Sequence, residues 1–403
     1  MASRYDDDEE YEYQRPRKKS SSGGKKRSSS DTRRPSGSSG GKKSSGSRKG
    51  SERKMSQKAR AKKKRRRILL FILEIFVLVV MVLVLWTVTK TEKVGKLDIP
   101  EDEIIVNEGV EDIEVLKGYW NIALFGVDST TGALTKNTRS DTIMIASINQ
   151  DTQEVKLISI YRDSFLNLGN DTYNKCNAAY AKGGPKQAMN MLNQNLDLNI
   201  TDFVTIGFEG LADTIDSLGG VEIEVKSDEI THLNNYQKCI AEDLKRTYTP
   251  VSNTGTQVLD GLQATGYCRI RYTAGDDFKR AERQRTVLKA VMEKAKGASV
   301  SQLTSIANSV FDEVYTSFDI SEIVALLGDV SSYSIVADDG FPQEDKRWVG
   351  SVGSKGSCVV PTDLSDNVTW LHGFLFGETD YQPSTQVQEY SDKIKAETGS
   401  YVK

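Results

Sequence analysis

Apolar positions along the chain fall into three regimes. Residues 1–67 hold Ser, Gly, Lys and Arg with almost no aliphatic side chains. Such a segment cannot bury enough apolar surface to offset its ordering entropy, which predicts a disordered tail. Ile68–Val88 is then almost unbroken apolar sequence, with Glu74 as its one charge. About 20 residues at about 1.5 Å rise each span about 30 Å, the thickness of a bilayer's hydrocarbon core. The run is too long for a signal-peptide core and no small-residue cleavage site follows it, so it reads as one transmembrane helix. Residues 89–117 are acidic and of low complexity, and read as a stalk.

From Gly118 the pattern becomes that of a folded domain. Asn121–Phe125 is an apolar run ending in a turn. Thr142–Ile148 and Val155–Ile160 are rich in β-branched residues and separated by Asn149-Gln150-Asp151, which predicts an antiparallel hairpin. Lys186–Leu196 and Phe208–Leu218 have helical spacing; Gly219-Gly220 stops the second, and Val221–Val225 resumes a strand. Tyr267–Tyr272 alternates as a strand does. Lys279–Lys296 reads as a long amphipathic helix, followed by helices over 301–310 and 321–330 and then a polar, irregular end. Strands interleaved with helices predict an α/β fold, a mixed three-layer α-β-α sheet domain over 118–298, with 299–403 as a helical and irregular extension.

Charge sharpens this picture. Residues 1–67 carry 24 Lys and Arg against 8 Asp and Glu, whereas the rest carries 30 against 48. A basic flank on the N-terminal side of the span places the tail in the cytoplasm and the body outside the cell membrane. A polybasic segment there binds anionic lipid, at about 1 kcal/mol per basic residue near the surface. The tail has no helix-turn-helix pattern, so no specific nucleic-acid partner is expected. Two histidines and four cysteines without zinc spacing leave little room for His-based or zinc chemistry. An extracytoplasmic location permits a disulfide, with Cys239 and Cys358 as the open pair.

Charged residues gather where predicted strands end. Asp128 follows the first strand, Arg139 and Asp141 precede the second, and Arg162-Asp163-Ser164 follows the third. Arg269 and Arg271, two apart on a strand, share a face. Asp277, Arg280, Arg283 and Gln284 open the long helix, the last three on one side. Strand ends are where such folds bind ligands. Arginine, always charged and forked, suits phosphate. Asp128 and Asp141 could hold Mg2+ (or Mn2+), which takes one or two carboxylates and completes its shell with phosphate oxygens and water. These residues point to a diphosphate held by arginines and a metal ion.

The segments NIALFGVDS, RSDTIMIASI, LISIYRDS, YNKCNAAYAKGG, FEGLADTIDSLGGVEIEV, LDGLQATGYCRIRY and GDDFKRAERQR, in this order over residues 118–298, resemble the LytR–CpsA–Psr family. The resemblance implies a membrane-anchored phosphotransferase of the Gram-positive cell wall. It would move a glycopolymer, such as teichoic acid or capsule, from undecaprenyl diphosphate to the 6-hydroxyl of N-acetylmuramic acid in peptidoglycan. It implies magnesium carboxylates at Asp128 and Asp141 and diphosphate contacts at Arg162, Arg269, Arg280 and Gln284. Arg139, Arg271 and Arg283 would assist, and Asp277 would orient an arginine or act as general base. An apolar slot lined by Leu, Ile and Phe between residues 188 and 218 would take the prenyl tail. Tyr161, Cys176 and Lys279 depart from the family's usual residues without removing a charged group. Two alternatives remain open: a prenyl-diphosphate hydrolase with the same groups, and a transcription attenuator whose basic tail binds nucleic acid.

Overall fold

The protein is represented by a computed structural model that describes residues 95–402 except 129–133, 136–137 and 274. The basic tail, the apolar span Ile68–Val88 and the start of the stalk lie outside the described residues. Among the described residues, no helix is long and apolar enough to cross a membrane.

A seven-stranded mixed sheet organises the domain. In chain order its strands are β1 (Gly95–Lys96), β2 (Tyr119–Val127), β3 (Ser140–Asn149), β4 (Glu154–Ile160), β7 (Asp202–Ile206), β10 (Val314–Thr316) and β11 (Ser334–Phe341). Three two-stranded ribbons complete the strands: β5 (Phe165–Asn167) with β6 (Tyr173–Lys175), β8 (Val221–Val225) with β9 (Gly255–Leu259), and β12 (Arg347–Ser351) with β13 (Ser357–Pro361). The spatial order of the large sheet is β1-β10-β7-β2-β3-β4-β11. β2, β3 and β4 form an antiparallel meander with Phe125 opposite Ile143 and Ile145 opposite Ile158. β7 joins β2 in parallel, and β11 joins β4 in parallel.

Ten helices accompany the strands: α1 (Glu114–Lys117), α2 (Asn177–Leu196), α3 (Phe208–Ser217), α4 (Ile230–Leu244), α5 (Gly261–Cys268), α6 (Asp276–Lys296), α7 (Val300–Val310), α8 (Ile320–Gly328), α9 (Leu364–Phe376) and α10 (Thr385–Thr398). Alternation along β2 sends its side chains to opposite faces. Ala123, Phe125 and Val127 join the main core with Tyr180, Met189 and Leu192 of α2 and with α9 and α10. Leu124 faces the other way, toward Leu288 and Met292 of α6. Helices therefore cover both faces of a central mixed sheet. α2 is broken at Gly184, whose φ of 69° is non-helical, with Pro185 starting the second segment. Lys186–Leu196, where the spacing predicts a helix, is that second segment.

Three expectations need correction, and the open question of the cysteines is answered. Tyr267–Tyr272 is not a strand: Asp260 and Gln263 form a capping box that starts α5, which runs to Cys268 with every residue from Ala264 to Cys268 buried. The alternation read there reflected a helix end buried all round. The stalk does not stand free over 95–117, because β1 pairs with β10 and Val110 and Leu116 are in the main core. Residue 298 is not an edge of the domain, since β10 and β11 belong to the central sheet and α9 and α10 pack on the main core. All four cysteines are free: Cys239 is exposed on α4, while Cys176, Cys268 and Cys358 are buried, with burial pushing the Cys268 thiol up to about 12.

Candidate functional site

The charged residues meet at one end of the sheet. Between Gly126 and Val127 the β2–β3 register slips by a bulge, after which Val127 faces Ser140. Gly126 sits against the Thr142 side chain, where a Cβ would come within 2.8 Å, so the strands can close only with glycine there. Bulges re-aim the side chains that follow them. Here the residues so placed are Asp128, at the exit of β2, and Asp141, at the entry of β3.

Arg162 lies just past β4. Its backbone is pinned, because its carbonyl accepts from Asn177 N at 3.1 Å and Tyr161 N donates to Phe341 O at 3.0 Å. From this fixed base Arg162 Nη1 donates to Asp141 Oδ1 at 2.7 Å. Its Nε lies 3.6 Å from carboxylate oxygens of both Asp163 and Asp277. Lys175 approaches Asp163 at 3.2 Å from the far side.

α5 and α6 supply the other arginines. Arg271, in the turn between them, lies 3.7 Å from Asp141 Oδ2 and 3.7 Å from Asp277 Oδ1. Arg280, 4% exposed in side chain, reaches Asp277 Oδ1 at 2.9 Å and donates to the Asp141 carbonyl at 3.1 Å. Arg269 caps α5 and stands 3.6 Å from Asp128 Oδ2. Its guanidinium lies over the Phe208 ring at 4.4 Å and near the Tyr236 ring at 5.4 Å.

Electrostatics follow from this packing. Burial works against ionised Asp141, but Arg162, Arg280 and Arg271 overcome it and hold its carboxyl below the usual range. Burial wins at Asp277 and Asp128, whose carboxyls are both raised, the latter also by Asp141 beside it. Burial lowers Arg280 to about 10, with Asp277 opposing. The Nε groups of Arg162 and Arg280 are buried without a hydrogen-bond partner. The site thus sets four guanidiniums against four carboxylates and leaves two Nε–H donors unbonded among the described residues, donors that the oxygens of a polyanion can engage.

Asp128 and Asp141 are the carboxylates that the sequence marks for a cation. Asp128 is 45% exposed in side chain and its carboxyl is raised partly by Asp141, a like-charge repulsion that a bound cation would relieve. Among the described residues no group of three or more Asp, Glu, His or Cys is arranged around a metal. Two carboxylates by themselves would hold an ion that takes its remaining ligands from phosphate and water, as Mg2+ does.

Of the residues singled out in the sequence, Asp128, Asp141, Arg162, Arg269, Arg271, Asp277 and Arg280 come together. Arg283 does not: its Nε donates to Glu229 Oε1 at 2.8 Å, Nη1 to Ile270 O at 3.1 Å and Nη2 to Thr273 Oγ1 at 2.7 Å. Its face is turned to α4 rather than to Arg280. Gln284 is half-buried one residue on, and Arg139 is exposed at the entry of β3; neither side chain bonds a described residue. The sequence reading named Asp163 beside Arg162 and placed Phe208 only in the slot lining; it missed Lys175 and Tyr236 as neighbours of the arginines. Asp163 carried a signal, standing beside Arg162 in one motif. Phe208 begins the helix after β7 much as Asp128 follows β2, but Tyr236 had none.

The expected slot lining divides in two. Leu192, Leu196 and Phe203 are sealed in the main core. Val204, Ile206, Phe208 and Leu211 are only half-buried on the other face, as are Leu124, Leu288 and Met292. α8 adds an apolar helix with no buried residue.

The chain has known relatives. The model of the LytR_cpsA_psr family matches residues 87–351. Biofilm regulatory protein A of Streptococcus mutans is 29% identical over 306 residues, 67% of this chain and 73% of its own. The Enterococcus faecalis polyisoprenyl-teichoic acid–peptidoglycan teichoic acid transferase TagU is 31% identical over 212 residues, 51% of this chain and 65% of its own. The crystal structure of a Streptococcus agalactiae protein superposes with a TM-score of 0.57 at 25% identity, over 73% of this chain and 98% of that one. With a family match that spans most of the folded region and the same fold in a solved relative, the chain belongs to the LytR–CpsA–Psr family.

Proposed function

We propose that this protein transfers a glycopolymer from a polyprenyl diphosphate carrier to peptidoglycan. The observation that carries the reading is the convergence of Arg162, Arg271 and Arg280 on Asp141 and Asp277 at one end of the sheet. Arg269 stands over Phe208 beside them, where the half-buried apolar face begins. A charged end for the diphosphate and an adjoining apolar face for the prenyl chain match the two halves of such a donor. The name of the E. faecalis relative describes this reaction.

In the transfer, a sugar hydroxyl of peptidoglycan forms a new bond to the phosphorus nearest the saccharide. The phosphorus–oxygen bond to the prenyl phosphate breaks, and the hydroxyl proton is released. Charge builds on the phosphoryl oxygens and the departing phosphate, where preorganised arginines stabilise it most. Arg162, Arg269, Arg271 and Arg280 do this. Asp277, whose carboxylate contacts three of these arginines, positions them; Asp141 holds Arg162 and Arg271 and, with Asp128, would hold Mg2+. The ion, when bound, supplies further neutralisation of the diphosphate. The apolar span Ile68–Val88 would anchor the domain on the outer side of the cell membrane, with residues 1–67 in the cytoplasm.

The test uses the full chain in detergent with a short-chain prenyl-diphosphate saccharide, uncrosslinked peptidoglycan and Mg2+. Saccharide covalently on peptidoglycan, lost on chelation and in Arg162→Ala and Asp141→Ala, is the expected result. Free saccharide phosphate with no linkage would make the protein a hydrolase. No arginine-dependent product at all would overturn the reading.

A further inference from the structure

The turn that carries Arg271 also carries Tyr272, which is 75% exposed, more than any other large apolar side chain among the described residues. Neither the core nor a hydrogen bond to a described residue accounts for its position. Its ring lies 5.9 Å from that of His232 with the planes 37° apart. His232 and Tyr236 are one helical turn apart on α4 and so share a face. Tyr236 lies beside Arg269. Three rings thus gather beside Arg269 and Arg271, the arginines that face Asp128 and Asp141.

A lone exposed tyrosine needs no explanation, but several rings gathered beside a charged site offer a surface to a ligand. The occupant follows from what adjoins the wall. On the reading proposed above, the arginines hold a diphosphate, and the group bonded to that diphosphate on its polar side is a sugar. Aromatic rings offer flat apolar area for the C–H face of a pyranose, while the tyrosine hydroxyls and the imidazole offer polar partners to its hydroxyls.

We propose that Tyr272, His232 and Tyr236 form a saccharide subsite that grips the pyranose ring next to the transferred phosphate. The ring belongs to the donor if the subsite acts before transfer, and to the peptidoglycan acceptor if it receives the incoming hydroxyl. Either way the subsite holds a sugar, without contributing to prenyl or diphosphate affinity.

The test measures binding to the full chain in detergent of two short-chain probes, a prenyl diphosphate and the same compound bearing one sugar. Transfer is not required, so the outcome is independent of whether the protein proves a transferase or a hydrolase. In wild type the sugar-bearing probe binds more tightly; in Tyr272→Ala that advantage falls about tenfold while the bare probe binds as before. His232→Ala gives a smaller loss, and Tyr272→Phe, which keeps the ring, restores most of the advantage. If Tyr272→Ala instead leaves the probes unchanged and weakens only the binding of uncrosslinked peptidoglycan, the subsite serves the acceptor sugar. An unchanged preference together with unchanged peptidoglycan binding in both alanine variants overturns the proposal.

Discussion

Arg283 and Glu229 form a buried ion pair, 2.8 Å from Nε to Oε1, that ties the second turn of α6 to the start of α4. The pair is 54 residues apart in sequence. Glu229 also accepts from the Lys226 backbone N–H through its other oxygen at 2.9 Å, so the carboxylate is satisfied on both sides. Removing one partner leaves a buried charge uncompensated, which costs about 3–5 kcal/mol. Glu229→Ala and Arg283→Ala should therefore each lower the unfolding free energy by about that much, seen as a drop in the urea midpoint. The double variant should cost less than the sum of the two. A native-like midpoint in Glu229→Ala would return Arg283 to the list of ligand-binding groups.

Arg162 has a different role. It is held by Asp141 and flanked by Asp163 and Asp277, and its Nε lacks a hydrogen-bond partner. Arg162→Ala should lower turnover by about 100- to 1000-fold, the range for removing one preorganised donor from a charged transition state. Steady-state kinetics with saturating donor separates this from a binding defect: kcat should fall, with KM changed less.

The stacked position of Arg269 makes a further prediction. A planar guanidinium 4.4 Å from the Phe208 ring is not replaceable by an ammonium, even though charge is kept. Arg269→Lys should raise the KM for the prenyl-diphosphate donor about tenfold, and Phe208→Ala should do so too. A wild-type KM in Arg269→Lys would mean that only charge matters at that position.

A fourth prediction concerns pH. His372 of α9 is fully buried, donates from Nε2 to Leu196 O at 3.0 Å and stacks on Tyr381 with ring centres 3.6 Å apart. Burial pushes its pKa down to about 4. In the unfolded chain the imidazole takes up a proton near pH 6.5, while the folded protein resists until about pH 4. Its contribution is fully present above pH 6.5 and is lost as pH falls through that window, by about 3 kcal/mol in all. His372→Phe should flatten the urea midpoint against pH between 6.5 and 4. An unaltered slope would exclude His372 as its source.

Much of this protein is local and can be read along the chain. The hairpin of β3 and β4, the strand β8 and the helices α3 and α6 each rest on the period of their own apolar residues or on nearby turn and cap residues. The same holds for Asp128, Asp141, Arg162 and Arg280: each sits at a strand end or helix start that the pattern marks. What the chain could not disclose depends on residues brought together from far apart. Ser334–Phe341 becomes a strand because β4 offers it a parallel partner 180 residues earlier, Ser334 against Glu154. Arg269 and Arg271 share a site through a helix end and a turn packed over Asp128 and Asp141, rather than through strand alternation. Arg280 and Arg283 stand less than one turn apart, yet one faces Asp277 and the other Glu229, because a guanidinium in the interior goes to whichever carboxylate the packing delivers. Period and spacing act over a few residues and are written in the sequence; desolvated charge pairing acts through space, and only the assembled fold assigns its partners.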